Sequence, residues 1–233
     1  MTASNAEPAV DPTAPSPQPS PDDIKRAASE SVRAGVDIRA KIHDVTLLAL
    51  KSRRFDRHGM QEVVRAVTDG IALGAEESRS DLRQTLSEAF RGLDQGLTRS
   101  AEAGGAALRQ LAVTGKDLSD NEIKQALATM KQLEDDFLAT AGHAAEAASE
   151  KIRPELRQIL HTARQTGTET GKMAATSMTE VTRRFSVASL DVALAGMVVA
   201  AEVGTRFAQL ASGILGGIAD ALAEPPRPDK KPQ

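Results

Sequence analysis

Residues 60–111 decide the fold: MQEVVRAVTDGIALGAEESRSDLRQTLSEAFRGLDQGLTRSAEAGGAALRQL. Apolar or small residues recur along this stretch in steps of three or four, beginning with Met60, Val64 and Val67, and the steps add up to an 11-residue repeat. This repeat corresponds to about 3.67 residues per turn, close to the 3.6 residues per turn of an α-helix. We therefore predict one long amphipathic helix, related to coiled-coil helices, at residues 60–114.

Prolines mark the two ends of the chain. Six of the 11 lie within the first 21 residues, four lie after residue 224, and Pro154 lies between these groups. Proline disrupts a helix interior at a cost of about 3 kcal/mol, so the region 22–224 can hold very long helices. Residues 1–21 and 225–233 cannot bury an apolar face, and we expect a disordered Pro-rich tail and a disordered Pro/Lys tail.

Between the tails we expect a single elongated helical region. Gly59 follows a cluster of basic residues, a pattern typical of a helix C-terminus, and Pro154 is typical of a first helical turn. These signals predict helices at about 22–58, 60–114, 120–153, 154–186 and 187–223. No stretch alternates as a strand does, so the predicted fold class is all-α: long amphipathic helices with 11-residue periodicity that form an extended antiparallel helical hairpin or bundle.

Several glycines lie four residues apart inside the predicted helices. Each glycine in a helix interior costs about 1 kcal/mol relative to alanine, and close approach of a neighbouring helix is the usual compensation. We therefore predict that these pairs are sites of helix packing. The candidate helix-packing glycines are Gly70, Gly74, Gly92, Gly96, Gly213 and Gly217.

The most apolar segment is residues 187–223, VASLDVALAGMVVAAEVGTRFAQLASGILGGIADALA. On a helical wheel its charged and amide side chains fall within an arc of about 60°, and most of the remaining circumference is apolar. Its longest uncharged runs, 192–201 and 207–219, are shorter than the roughly 20 residues of a spanning helix. The candidate surface- or partner-contact residues are Leu190, Leu194, Met197, Val198, Val199, Phe207, Leu210, Ile214, Leu215 and Ile218.

Three interpretations of this segment remain open. It is the buried core helix of a homo-oligomeric helical scaffold, an amphipathic element that sinks into a lipid or polymer surface, or a hairpin that bends near Gly204 and inserts into a membrane. The N-terminus has no basic start followed by an apolar run, so no secretory signal is predicted. We accordingly expect a cytoplasmic protein, either free or peripheral to a membrane or granule.

The composition argues against catalysis. The chain has no cysteine, so disulfides, thiol nucleophiles and Cys-ligated metals are excluded. Its four histidines are never within four residues of one another, and no nucleotide-binding or hydrolase motif is present. Tryptophan and tyrosine are absent and the net charge is −3, a composition that does not favour nucleic acid as a partner. We predict no enzyme activity, no cofactor, no metal and no small-molecule substrate, with the chain itself as a partner in a homo-oligomer.

These features resemble phasins, the bacterial proteins that coat polyhydroxyalkanoate granules. The shared features are the helical stripes at 60–111 and 148–185, the apolar segment 187–223 and the C-terminal sequence PPRPDKKPQ. The resemblance covers most of the chain and rests on composition and periodicity. It implies a cytoplasmic, non-catalytic, oligomeric protein that covers a hydrophobic surface, a polyester granule or a lipid membrane.

Overall fold

A computed structural model describes residues 18–53, 56–113 and 121–184. In these ranges the chain forms seven α-helices and no β-strand, which confirms the predicted all-α fold class. The helices are α1 (Pro21–Arg33), α2 (Ile38–Lys51), α3 (Arg57–Glu77), α4 (Leu82–Val113), α5 (Asn121–Ala147), α6 (Arg153–Thr166) and α7 (Glu169–Arg184).

Helices α1 and α3 pack side by side and run in the same direction. Along α3, Gly70 lies against Ala28 and Gly74 lies against Val32, so the sequence numbers increase together in both helices. An ion pair of 3.1 Å between Arg33 and Glu77 joins their C-terminal ends. Helices α2 and α4 are parallel in the same way, since Gly92 and Gly96 of α4 lie against successive turns of α2.

The short link between α2 and α3 fixes the direction of α2. If α2 continued in the direction of α1, its end would lie about 50 Å from the start of α3, the summed length of 14 and 21 helical residues. The link, residues 52–56, spans at most about 20 Å when fully extended. Helix α2 therefore reverses and forms an antiparallel hairpin with α1. Because α3 is parallel to α1 and α4 is parallel to α2, helices α3 and α4 are antiparallel as well.

The third hairpin consists of α5 and a return arm divided into α6 and α7. Glu146 near the end of α5 pairs with Arg157 in α6, whereas Glu134 earlier in α5 contacts Thr168 just before α7. As the residue numbers increase along α5, those of its partners in the return arm decrease, so the two arms are antiparallel. The return arm is in turn parallel to α4, as the contacts of Asp94 with Thr170 and of Arg109 with Glu180 show.

The described chain is thus three antiparallel helical hairpins stacked in two layers. Among the first arms, α3 packs between α1 and α5, and among the return arms, α4 packs between α2 and α7. One hydrophobic core runs through the stack, and its largest fully buried side chains include Ile42, Ile71, Leu97, Met130 and Phe137. The rings of Phe90 and Phe137 stack with their centroids 5.3 Å apart, joining α4 to α5.

Two of the long helices expected from the sequence are each divided in two. The helix predicted at 22–58 is interrupted at 34–37, where Gly35 and Asp37 have φ angles of 69° and 52°. The helix predicted at 60–114 ends at Glu77 and restarts at Leu82, with Asp81 accepting a 2.7 Å hydrogen bond from the backbone N–H of Gln84. These predictions of single helices are wrong because a four-residue turn is close to one helical turn, so the apolar stripe stays in phase across it.

Three other boundaries differ from expectation. Gly59 does not end a helix: it lies in the first turn of α3, where its N–H donates to Asp56 at 2.8 Å. Helix α5 ends at Ala147 and not at 153, although the next helix begins at Arg153 with Pro154 in its first turn, as predicted. The helix predicted at 154–186 is interrupted at Gly167, which has a φ of 75°. The predicted tails 1–21 and 225–233, apart from residues 18–21, and the predicted helix 187–223 lie outside the described residues.

Candidate functional site

The residues proposed for surface contact lie outside the described part of the chain. This applies to all ten apolar side chains between Leu190 and Ile218 and to the glycine pair Gly213 and Gly217. The other four candidate glycines lie in α3 and α4, within the described ranges.

Gly70 and Gly74 form the first glycine seam, between α3 and α1. A Cβ built on Gly70 would lie 2.7 Å from the Cβ of Ala28 and in severe overlap with the carbonyl oxygen of Lys25. A Cβ on Gly74 would lie 2.9 Å from the Cβ of Val32. Real Cβ atoms do not approach other atoms so closely, so the separation of the two helix axes requires glycine at both positions.

Gly92 and Gly96 form the second glycine seam, between α4 and α2. A Cβ on Gly96 would lie 2.7 Å from the Cβ of Thr46, and one on Gly92 would lie 3.1 Å from the Cβ of Ile42. The two seams are 22 residues apart in the sequence, which is two 11-residue repeats. The second hairpin therefore packs on the first through one glycine pair in each of its arms.

A third close approach joins α4 to α7, and the sequence analysis did not single it out. A Cβ on Gly105 would lie 2.7 Å from the Cβ of Ser177. The spaced pair Gly167 and Gly171 has a different role, since Gly167 takes a positive φ between α6 and α7 and Gly171 leaves room for the carboxylate of Glu134. Glycine spacing alone does not distinguish a packing seam from a helix break.

The N-terminus of α7 is held by carboxylates from two neighbouring helices. Asp94 of α4 accepts hydrogen bonds from the backbone N–H of Glu169 at 2.9 Å, the N–H of Thr170 at 3.0 Å and the Thr170 hydroxyl at 2.7 Å. Glu134 of α5 accepts from the N–H and the hydroxyl of Thr168, both at 2.8 Å. The first N–H groups of a helix have no partner within it and carry partial positive charge, so two anionic acceptors there are stabilising.

Sequence reasoning missed this cluster, which we call the α7 latch: Asp94, Glu134, Thr168 and Thr170. The sequence Gly-Thr-Glu-Thr at 167–170 is compatible with a helix start, and it is the signal by which the start of α7 could have been predicted. The acceptors lie 76 and 34 residues earlier in the chain. No spacing rule links them to α7.

A cleft beside the latch has arginines at its edge that face carboxylates. It has a volume of about 550 Å³, lies between α4 and α6, and is lined by Phe90 and Ile159 with arginines at its edge. Arg39 makes a bidentate pair with Glu88 at 2.8 and 2.9 Å, which holds the pKa of Glu88 below its ordinary value. Arg91 faces the same carboxylate at 3.4 Å. Arg83, the third arginine at this edge, lies 3.7 Å from Glu155. Each arginine of the cleft thus has a carboxylate beside it, and two of them share Glu88.

The free surface of the hairpin stack is polar. Among the residues whose side chains are described, the exposed large hydrophobic ones are Val36, Leu48 and Leu73, at 61%, 62% and 41% exposure. They lie on different elements: the turn after α1, helix α2 and helix α3. The exposed residues of α5 include Lys131, Gln132, Asp135, His143 and Glu146. No described helix presents a continuous apolar stripe to solvent.

The described residues give no sign of metal binding or membrane spanning. No group of three or more histidine, aspartate or glutamate side chains in these ranges is arranged to hold a metal ion. None of the helices within them is both long enough and apolar enough to cross a bilayer.

Comparisons with known proteins identify a family but no characterised relative. No curated protein and no solved structure matches the chain. The model of one family, described as a family of unknown function, DUF6781, matches residues 14–224. This match covers most of the 233 residues, and the chain therefore belongs to the DUF6781 family.

Proposed function

We propose that this protein is a non-catalytic helical protein that associates with a hydrophobic surface, a polyester granule or a lipid membrane, in the manner of phasins. In this proposal the apolar segment 187–223 contacts the surface, and the three stacked hairpins form a polar body on the water side. The protein would act in the cytoplasm, at the periphery of the granule or membrane.

The observation that carries the proposal is the polar free surface of the hairpin stack. A helix in 187–223 would be apolar over most of its circumference and would need a large apolar surface to pack against. The described helices offer Val36, Leu48 and Leu73, which are separated from one another, and otherwise charged, amide and small side chains. The segment therefore needs a partner other than this stack, and a hydrophobic surface supplies one.

The family match supports treating the segment as part of the functional unit. It continues 40 residues past Arg184, the last described residue, and includes all of 187–223. The apolar pattern thus belongs to the sequence that defines the family. The Pro/Lys residues that follow, 225–233, lie beyond the match.

The driving force would be the burial of apolar side chains. Moving apolar area out of water is favourable by about 25 cal/mol per Å², and full burial of one Leu, Ile, Val, Met or Phe side chain contributes roughly 1.5–3 kcal/mol. Several of the ten candidate side chains between Leu190 and Ile218 are sufficient for stable association, even if each is only partly buried. The charged stack would then separate coated particles from one another.

The test is flotation with oil or polyester droplets and with anionic liposomes. Full-length protein is compared with a chain ending at Ser186 and with the triple variant Leu194→Asp, Val198→Asp, Leu215→Asp. The matched control is Leu48→Asp, which places the same charge on an exposed leucine of the stack. We expect the full-length and control proteins to float and the other two to stay in solution while retaining their helicity by circular dichroism. Flotation of the folded triple variant would overturn the proposal.

The alternative function is a homo-oligomeric helical scaffold in which 187–223 is the buried centre. The glycine seams favour it, since Gly70 with Gly74 and Gly92 with Gly96 join parallel helices, and Gly213 and Gly217 have the same spacing. Here the three Asp substitutions would dissociate or unfold the protein, as measured by light scattering and circular dichroism, and no form would float. Release of dye from vesicles would instead identify a membrane-inserting hairpin, the second alternative.

A further inference from the structure

We propose that α7 is a detachable strap: it leaves α4 and α5 as a unit, while the rest of the hairpin stack stays folded. The structure provides three features that such a device needs. The strap buries fewer large apolar side chains than α5, a polar cluster holds one of its ends, and a glycine with positive φ lies where it joins α6.

The buried face of α7 consists mostly of small and polar residues. Its buried side chains are Thr170, Ala174, Ser177 and Val181, and Met173 and Met178 are partly buried against the core. Helix α5, by contrast, buries Leu127, Met130, Leu133, Phe137 and Leu138. Because apolar burial is the dominant favourable term in helix packing, α7 is held less strongly by its core contacts than its neighbours are.

The α7 latch supplies much of the remaining attachment. Asp94 is 9% exposed, and its carboxylate accepts hydrogen bonds from the backbone N–H groups of Glu169 and Thr170 and from the Thr170 hydroxyl, whose single proton is shared with the Asp94 backbone carbonyl 2.9 Å away. Glu134 accepts two from Thr168. Hydrogen bonds to charged groups are stronger than those between neutral groups. When the latch opens, α7 loses these bonds together.

The ion pair farther along the strap is partly exposed to water. Arg109 of α4 pairs with Glu180 at 2.9 Å, with side chains 33% and 45% exposed. Such pairs contribute little in water. Between them and the latch lies the close approach of Gly105 and Ser177, which is a contact of small surfaces.

The junction with α6 allows the strap to move independently. Gly167 has φ 75° and ψ 160°, a conformation that residues with a Cβ rarely adopt. Helix α6 is anchored by its own buried residues Leu156 and Leu160, so it need not follow α7. The last described residue of α7, Arg184, lies three residues before Val187, where the apolar segment starts. Detachment would therefore extend the reach of that segment by about 24 Å, the length of 16 helical residues; this functional consequence rests on the proposed surface association.

Amide hydrogen exchange of the protein in solution tests the strap without any surface. We expect the amides of α7 to exchange faster than those of α3 and α4 in the wild-type protein. Asp94→Asn keeps the shape of the side chain but removes its charge and one acceptor, and we expect α7 to exchange about 10- to 100-fold faster, with α1–α3 unchanged. The matched control is Glu102→Gln, on the same helix, whose carboxylate pairs with Arg99. Equal acceleration of all helices by Asp94→Asn, or no acceleration of α7, would refute the strap.

A disulfide between α4 and α7 provides a second, independent test. The hydroxyl oxygens of Thr98 and Thr170 are 3.4 Å apart, so cysteines at these two positions can form a disulfide. Because the chain has no cysteine of its own, the double variant Thr98→Cys, Thr170→Cys has no other disulfide to form. We expect the oxidised protein to show slow exchange in α7 and to lose flotation on droplets, and reduction to restore both fast exchange and flotation. If the oxidised and reduced forms exchange equally slowly in α7 and both float, the strap is wrong and surface association stands. If the reduced form fails to float although its α7 exchanges rapidly, the strap stands and surface association is wrong.

Discussion

Gly70 of α3 and Ala28 of α1 approach so closely that a Cβ built on the glycine would lie 2.7 Å from the Cβ of the alanine. The same Cβ would overlap the carbonyl oxygen of Lys25, a backbone atom that cannot rotate away. The spacing of these two parallel helices is therefore determined by the absence of one methyl group. It explains why the chain retains glycines inside helices, where alanine is favoured by about 1 kcal/mol per residue.

Gly70→Ala should destabilise the protein. The added methyl group forces α1 and α3 apart, and overpacking of this kind costs about 1–3 kcal/mol, which exceeds the gain in helix propensity. Urea unfolding followed by circular dichroism should show a lower midpoint. The matched control is Gly142→Ala on α5, where the nearest atom to the new Cβ is the guanidinium of Arg164 at 3.2 Å, the end of a flexible side chain. That variant should be neutral or more stable, and an equal loss in both would refute the close-packing explanation.

Gly105→Ala should weaken the attachment of α7 specifically, because the new Cβ would lie 2.7 Å from that of Ser177. We expect amide exchange in α7 to become about 10-fold faster, corresponding to a loss of about 1.4 kcal/mol. Ser177→Gly in the same protein removes the opposing Cβ and should restore much of the protection. The four proteins of this double-mutant cycle give the coupling directly. Additive effects of the two substitutions would contradict the geometry.

The sequence was sufficient to predict that the described chain is helical, but not where the long stripe breaks and the chain reverses. The 11-residue repeat passes through Ala75, Ser78 and Leu82 without losing phase, although the chain reverses between the last two. The residues that break it, Ser80 and Asp81, have the composition of a turn and an N-cap, and a stricter search for such signals would have found them. The pairing of Asp94 with α7 had no local signal, because it depends on how the second and third hairpins stack.

Asp69→Asn should stabilise the protein at neutral pH. Asp69 is half-buried on α3, and burial raises its pKa above the ordinary value of 3.8, although Lys25 and Arg65 oppose the shift. Since the folded state binds this proton more tightly than the unfolded state, the ionised carboxylate lowers stability at all pH values above 3.8. We expect the urea midpoint of Asp69→Asn to exceed that of the wild type at pH 7, by roughly 0.5 kcal/mol in free energy, and the difference to vanish near pH 3.

Glu88→Gln should show the opposite pH dependence. The hydrogen bonds from Arg39 lower the pKa of Glu88 below its ordinary value of 4.5. The ion pair therefore contributes stability above pH 4.5, and this contribution is lost as the pH falls through the lowered folded-state pKa. The substitution should cost about 0.5–1 kcal/mol at pH 7, as expected for a partly exposed pair, and nothing once the wild-type carboxylate is protonated. A loss that persists in acid would indicate a packing effect instead.

Asp37→Val should destabilise the turn between α1 and α2. Asp37 precedes α2 with φ 52° and ψ 38°, in the left-handed region, and its side chain makes no capping hydrogen bond. Aspartate tolerates this conformation, whereas a β-branched residue does not, at a cost of roughly 1–2 kcal/mol. Asp37→Gly should be neutral or slightly stabilising, because glycine adopts this conformation without strain but loses more entropy on folding. Thermal unfolding of the two variants separates the explanations: if valine and glycine behave alike, the backbone conformation of residue 37 does not limit stability, and the reversal of α2 depends on the glycine seams alone.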